Sequence, residues 1–267
     1  HATLRPYQAR GFGWLSQMRR TGFGACLTDD MGLGKSLQTI TAWLHERQTN
    51  PSMNPALLVC PTSVVGNWRH ELRRFAPSLR VMVHHGTERE QNPEVFINAV
   101  NQVDVVVTSF ALLRRDIEVL KEVQWSDAVL DEAQNIKNPS TKQAQAARTI
   151  NADFKLALTG TPVENRLMEL WSIMHFLNAG YLGSQTSFKS NFVTPIERYH
   201  DEAPAKVLKQ LTAPFILRRL KTDKSIIQDL PDKFENKVYC SLTQEQATLY
   251  EADVRESLEA VESADDE

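Results

Sequence analysis

The sequence predicts an α/β domain whose doubly wound, mostly parallel sheet carries helices on both faces. Three observations predict this fold. Short apolar runs alternate with stretches of helical periodicity, a glycine-rich loop ending in Lys35-Ser36 follows the first run, and the acidic pair Asp131-Glu132 ends a later one. Ligands of such sheets bind at the carboxyl ends of the strands. Both motifs are therefore expected at the same edge of the sheet.

Six strands are expected where the apolar runs are short and nearly continuous, as a sheet covered on both faces requires. Their expected bounds are residues 24–28, Ala56–Cys60, Arg80–His84, Asp104–Thr108, Asp127–Leu130 and Lys155–Leu158. Helical patterns lie between them, near residues 36–48, 64–75, 93–101, 111–122 and 140–150. Units of this kind form right-handed crossovers.

The glycine-rich loop predicts a phosphate-binding site. Bare N–H groups at Gly32 and Gly34 can close around phosphate oxygens, and the N-terminus of the next helix adds its dipole. Lys35 supplies a positive charge for the β- and γ-phosphates, and the Ser36 hydroxyl can ligate Mg²⁺. Asp29 stands where the usual pattern has its first glycine. The predicted ATP-binding residues of this loop are Asp29, Asp30, Met31, Gly32, Leu33, Gly34, Lys35 and Ser36.

The acidic pair at the end of the apolar run 127–130 predicts the catalytic carboxylates. Asp131 is expected to hold Mg²⁺, usually through water, and Glu132 to act as base or to orient the attacking water. With Lys35 they form the predicted catalytic set, and Ser36 with Asp131 the predicted Mg²⁺ ligands. The expected cofactors are ATP and Mg²⁺.

The composition of the chain limits its domain organisation and the partners that it can bind. The 267 residues and 42% hydrophobic content suffice for one large domain, and no apolar run is long enough for a membrane span. Cys26, Cys60 and Cys240 are odd in number and widely spaced, which favours core positions in a reducing compartment. Residues 251–267 carry eight acids against one base; the net charge of −3 thus leaves residues 1–250 at +4. A mildly basic body permits nucleic-acid binding.

Seven segments in a fixed order resemble the first RecA-like lobe of Swi/Snf-type DNA translocases, in helicase superfamily two. The resemblance spans about residues 4–250, which is more specific than any single motif. The segments are Leu4–Gln8, Asp29–Ser36, Leu57–Thr62 with Asn67–Trp68, Val107–Phe110, Leu130–Asn138, Leu158–Asn165 and Pro214–Asp223.

The resemblance implies roles that the residue pattern alone does not give. Gln8 is expected to read the adenine edge through its amide. The residues expected to contact DNA phosphates without reading sequence are Thr62, Thr108 and Ser109. The residues expected to couple the nucleotide site to DNA are Gln134, Thr159, Gly160 and Thr161. Ordinary capping of a strand end remains the alternative role for Thr62, Thr108 and Ser109.

The resemblance also implies an organisation and a location. We predict an ATP-binding lobe over residues 1–165, a helical protrusion over 166–221, and a linker over 222–267 that leads to a second RecA-like lobe in a longer protein. Gln134, where many relatives have histidine, and the stretch Phe176–Gly183 resemble prokaryotic members. The expected location is cytoplasmic and nucleoid-associated, or nuclear in a eukaryote, without a membrane partner.

The function expected from the resemblance is ATP-driven translocation on double-stranded DNA that remodels DNA–protein complexes. Two alternatives stay open. One is a strand-separating helicase of the same superfamily, and the other is a nucleotide- or protein-binding module that does not hydrolyse ATP.

Overall fold

A computed structural model describes residues 3–160, 166–223 and 241–265, with side chains up to residue 255 of the last helix. The chain divides into two compact units, residues 1–228 and 229–267. The second unit is represented by one helix, α11 (Gln244–Asp265). Among the described residues, no helix is both long and apolar enough to cross a membrane.

The first unit contains a seven-stranded sheet of order β3-β4-β2-β5-β6-β1-β7, parallel throughout. The strands are β1 (Ala25–Leu27), β2 (Ala56–Cys60), β3 (Val81–His84), β4 (Val105–Ser109), β5 (Trp125–Asp131), β6 (Ala152–Leu158) and β7 (Ile216–Leu217). Strands β2 and β4 are buried at every position, because helices cover both faces of the sheet. The predicted fold and the six predicted strands are confirmed.

The helices of the first unit alternate with the strands up to β6. They are α1 (Pro6–Thr21), α2 (Lys35–Thr49), α3 (Val65–Phe75), α4 (Pro93–Val100), α5 (Phe110–Arg115), α6 (Ile117–Leu120) and α7 (Lys142–Thr149). The helix expected over residues 111–122 is divided at Asp116, whose backbone is not helical. Asp116 instead accepts hydrogen bonds from Arg89, at 2.7 and 3.0 Å. This ion pair therefore holds Asp116 at the junction between α5 and α6.

The segment 166–221 is mostly helical. It contains α8 (Leu167–Leu177), α9 (Gln185–Phe188), a π-helix (Lys189–Arg198) and α10 (Glu202–Thr212). Its end returns to the sheet, because Ile216 and Leu217 pair with Cys26 and Leu27 as the edge strand β7. The compact unit therefore continues past residue 165, and the predicted boundary there does not separate two bodies.

Candidate nucleotide-binding site

The phosphate loop joins β1 to α2 and depends on its two glycines. Gly32 and Gly34 have φ values of 82° and 77°, a left-handed backbone that favours glycine. A Cβ on Gly34 would also come within 2.5 Å of Gln8 Nε2. A side chain at this position would therefore strain the backbone and push the Gln8 amide away from the loop.

Gln8 is buried between α1 and the phosphate loop. Its Nε2 donates to the Leu33 carbonyl at 3.3 Å, and its Oε1 accepts from the backbone N–H of Arg5 at 3.0 Å. The amide thus ties the start of α1 to the loop. Its contact with adenine stays a prediction, and the amide keeps one further N–H donor and one further acceptor lone pair for it.

Lys35 lies at the centre of the site. Its Nζ donates to the carbonyl oxygen of Asp29 at 2.7 Å, which folds the side chain back over the loop. Burial lowers the pKa of Lys35, while the nearby carboxylates of Glu132, Asp29, Asp131 and Asp30 act in the opposite direction. The structure therefore brings the glycine loop and the acidic pair together, although about a hundred residues separate them in sequence.

Asp131 is the last residue of β5, and both of its oxygens are hydrogen-bonded. Oδ1 accepts from the backbone N–H of Glu132 at 3.0 Å, and Oδ2 accepts from Nε1 of Trp68 at 2.7 Å. Burial raises the pKa of Asp131, partly offset by the bond from Trp68. Each carboxylate oxygen retains acceptor capacity, so the residue suits Mg²⁺ binding, directly or through water, and Ser36 at the start of α2 supplies a hydroxyl.

Glu132 has the strained backbone often found at functional sites. Its φ of 53° is left-handed, a conformation that costs a non-glycine residue about 1–3 kcal/mol. Gln134 Nε2 donates to Glu132 Oε2 at 2.8 Å, and Thr159 Oγ1 donates to Gln134 Oε1 at 2.9 Å. Gln134 therefore connects the expected base to the end of β6. Of the other predicted coupling residues, Gly160 is adjacent to Thr159, and Thr161 lies outside the described residues.

The predicted DNA-contacting residues differ in exposure and in hydrogen bonding. Thr62 is exposed in the turn after β2. Thr108 is fully buried, and its hydroxyl donates to the His84 carbonyl at 3.0 Å. Ser109 is also buried, and its Oγ caps α5 by accepting from Leu112 N at 3.3 Å. The Thr108 hydroxyl donor is thus taken by a backbone carbonyl, whereas Ser109 uses its oxygen as an acceptor and keeps its O–H donor. Contact of Thr62, Thr108 and Ser109 with DNA stays a prediction.

Two residues of the site carry contacts that their sequence context does not indicate. Trp68 lies in the core, as its apolar surroundings suggest, but its indole N–H also bonds a predicted metal ligand. Arg219 belongs to a basic segment, yet it is buried against Asp29 of the phosphate loop. The sequence shows that an aspartate replaces the usual glycine, but the need for a positive partner follows only from its burial, which the structure reveals.

Other sequence features have structural roles. His84 bonds Asp116 at 2.9 Å, and no cluster of metal-binding side chains occurs among the described residues. Cys26 and Cys60 are buried, and burial raises the pKa of each thiol to about 12, as expected of inert core cysteines. Cys240 lies outside the described residues.

The sheet order, the glycine loop and the acidic strand end together define a RecA-like P-loop lobe. The chain belongs to the SNF2-related domain family, whose model matches residues 7–266.

Similar proteins agree with this assignment. A Bacillus subtilis protein, YwqA, described as a candidate ATP-dependent helicase/translocase, is 48% identical over 98% of this chain and 28% of its own length. The TATA-binding protein-associated factor MOT1 of Saccharomyces cerevisiae is 36% identical over 93% of this chain and 14% of its own. This chain therefore spans under a third of either relative.

A solved structure shows the same fold. The SWI2/SNF2 ATPase core of Sulfolobus solfataricus in complex with double-stranded DNA is 49% identical, with a TM-score of 0.78. The match covers 98% of this chain and 54% of the solved chain.

Proposed function

We propose that this chain is the ATP-binding motor lobe of a DNA-dependent ATPase that translocates on double-stranded DNA and remodels DNA–protein complexes. The observation that carries the proposal is the half-buried Lys35, which lies above the glycine loop and within the electrostatic reach of Asp131 and Glu132. A cation, a phosphate cradle and two carboxylates at one sheet edge are the groups that phosphoryl transfer to water requires.

Each residue has a defined task in this proposal. Lys35 would exchange its bond to the Asp29 carbonyl for the β- and γ-phosphates of ATP. Ser36 and Asp131 would hold Mg²⁺, which would supply charge neutralisation on the phosphates. Glu132 orients or deprotonates the attacking water. Gln134 holds the Glu132 carboxylate, and its bond to Thr159 links that carboxylate to the loop after β6.

A second RecA-like lobe completes the proposed motor. The match to about half of the solved ATPase core supports this division of labour. The second lobe supplies the arginine finger and further DNA contacts. On this lobe, the exposed Thr62 and the backbone around Ser109 contact one strand's phosphates without reading sequence. The solved core bound to double-stranded DNA and the description of YwqA as a helicase/translocase favour DNA as partner.

Binding of ATP by this chain is the first test. Titration with a fluorescent ATP analogue in Mg²⁺ is expected to show saturable binding, lost on Lys35→Ala and kept on Lys121→Ala. Lys121 is a surface residue paired with Glu118, so it controls for loss of a positive charge. Equal affinity of the two variants would contradict the assignment of Lys35.

The activity distinguishes the proposal from its alternatives. In a protein that contains this chain and a second lobe, duplex DNA is expected to stimulate ATP hydrolysis without strand displacement. Displacement of a strand would favour a helicase. ATP binding without duplex-stimulated hydrolysis would favour a non-hydrolysing module.

A further inference from the structure

We infer that Arg219 is a positioning residue for the phosphate loop and that it acts through a buried ion pair with Asp29, the residue in place of the loop's first glycine. The inference rests on the proposed ATP binding and concerns how the loop is held ready for phosphates. It assigns a role in the nucleotide site to a side chain that follows the loop by 190 residues.

The pair has the geometry of a fixed contact. Arg219 Nε donates to Asp29 Oδ1 at 2.8 Å, and a second guanidinium nitrogen bonds Oδ2. The two hydrogen bonds engage both carboxylate oxygens, an arrangement that fixes orientation as well as distance. The Asp29 side chain is fully buried, and Arg219 is about 5% exposed. Water therefore competes little for either group, and the fork restrains the loop at its first residue.

The remaining donors of Arg219 bond two other segments around the loop. One nitrogen donates to the Tyr7 carbonyl, and another donates to Gln38 Oε1 at 2.7 Å. Tyr7 precedes Gln8 on α1, and Gln38 lies on α2, which begins with Lys35. One guanidinium thus joins the segment expected to read adenine, the phosphate loop and the helix whose N-terminus faces phosphate.

A glycine on α1 provides the space for this guanidinium. A Cβ on Gly11 would come within 1.9 Å of Gln38 Oε1 and 2.7 Å of an Arg219 nitrogen. A side chain at position 11 would therefore press on the ends of Gln38 and Arg219 and disturb the hydrogen bond between them. This steric observation is independent of the charges, and it shows that α1 packs directly against the guanidinium.

The backbone on either side of Arg219 is also hydrogen-bonded to the start of the loop. Thr28 N donates to the Leu217 carbonyl at 2.7 Å, Asp30 N to the Arg219 carbonyl at 3.1 Å, and Lys221 N to Asp30 Oδ2 at 2.9 Å. Residues 216–221 therefore form a strap along residues 26–30, and the buried Arg219 side chain anchors it. The strap therefore restrains the loop at its first two residues, Asp29 and Asp30.

The test compares nucleotides that differ in phosphate number. The loop amides contact the α- and β-phosphates and Lys35 contacts the β-phosphate, so a displaced loop loses more contacts with ADP than with AMP. The experiment measures binding of fluorescent ADP to this 267-residue chain, and of AMP by competition, for the wild type and for Arg219→Lys. The lysine keeps the charge and loses the fork. ADP affinity is expected to fall about tenfold, which corresponds to about one charge-assisted hydrogen bond to phosphate, and AMP affinity by a smaller factor.

A matched control lies at the other side of the sheet. Arg89 makes a similar two-point ion pair with Asp116, at 2.7 and 3.0 Å, and Arg89→Lys is expected to leave both affinities unchanged. The double variant Asp29→Asn/Arg219→Gln removes the buried charges together, so it keeps the test valid if Arg219→Lys fails to fold. It is also expected to lose ADP affinity selectively while retaining a cooperative thermal transition.

The outcomes separate this inference from the function on which it rests. A wild-type chain that binds neither ATP nor ADP contradicts the proposed function. A wild-type chain that binds ADP, with folded Arg219 variants that bind ADP equally well or lose ADP and AMP by the same factor, overturns the positioning role.

Discussion

The nucleotide edge and the proposed DNA edge of this lobe are built to different degrees. At the nucleotide edge, buried or half-buried groups hold each functional segment: Arg219 holds the loop, Trp68 holds Asp131, and Gln134 holds Glu132. At the ends of β2 and β4, only Thr62 of the three predicted hydroxyl residues is exposed. The difference indicates that the proposed ATP site is held by more internal contacts than the proposed DNA site.

The largest expected effect concerns turnover. If the arginine finger belongs to a second lobe, the isolated chain should hydrolyse ATP about 10³–10⁵ times more slowly than a two-lobe protein with duplex DNA. A steady-state phosphate-release assay on both proteins measures the ratio. Comparable rates would show that this lobe holds its own catalytic cation and that its nucleotide edge is complete without a partner lobe.

The next effect separates binding from chemistry within the nucleotide edge. Lys35→Ala should weaken ATP binding by about a hundredfold, because it removes a charged phosphate contact. Glu132→Gln should retain ATP affinity and stop hydrolysis in the two-lobe protein, because an amide keeps the shape but cannot accept the proton. Calorimetric titration and single-turnover hydrolysis report the two quantities. Equal losses of affinity in the two variants would mean that Glu132 binds nucleotide rather than activating water.

A smaller effect is expected at Trp68, where α3 meets the Mg²⁺ site. Trp68→Phe keeps a buried aromatic ring but removes the donor to Asp131, so the Mg²⁺-dependent part of ATP affinity should fall about threefold to tenfold. Trp171→Phe is the matched control, because its indole N–H bonds the Gly183 carbonyl in the segment that follows α8. The readout is ATP affinity with Mg²⁺ and with EDTA. A loss that persists in EDTA would mean that Trp68 acts only through packing.

The smallest effect is expected at the DNA edge. Duplex binding by this chain should be weak, indifferent to sequence and dependent on salt, with a slope near −0.9 in log K against log salt for each phosphate neutralised. Deleting residues 251–267 removes a net charge of −7 and should raise affinity a few-fold at low salt only, since ions screen that charge. Fluorescence anisotropy on two unrelated duplexes measures both. A strong sequence preference would contradict phosphate contact as the binding mode.

Local sequence patterns predicted the sheet of this molecule well. Alternating apolar runs located six strands, because buried parallel strands are continuous in sequence. Strand β7 was not predicted, since two residues carry no periodicity and its partner β1 is about 190 residues away. The nucleotide motifs were found because their chemistry is confined to short segments.

The contacts between distant segments could not be predicted from the sequence. The Arg219–Asp29 pair and the Trp68–Asp131 bond are set by tertiary packing, and either side chain taken alone is an ordinary core or surface residue. The capping bonds of Thr108 and Ser109 could not be separated from phosphate contacts in the sequence, because both use the same residue types.

The most direct test of the contrast between the two edges is a pair of titrations of this chain, one with ADP and one with duplex DNA, in the same buffer at physiological salt. We predict saturable ADP binding that is independent of DNA, together with duplex binding at least about tenfold weaker, as expected of a lobe with few phosphate contacts. Duplex binding tighter than ADP binding, or ADP binding that requires DNA, would contradict a nucleotide site that is assembled in advance within this lobe.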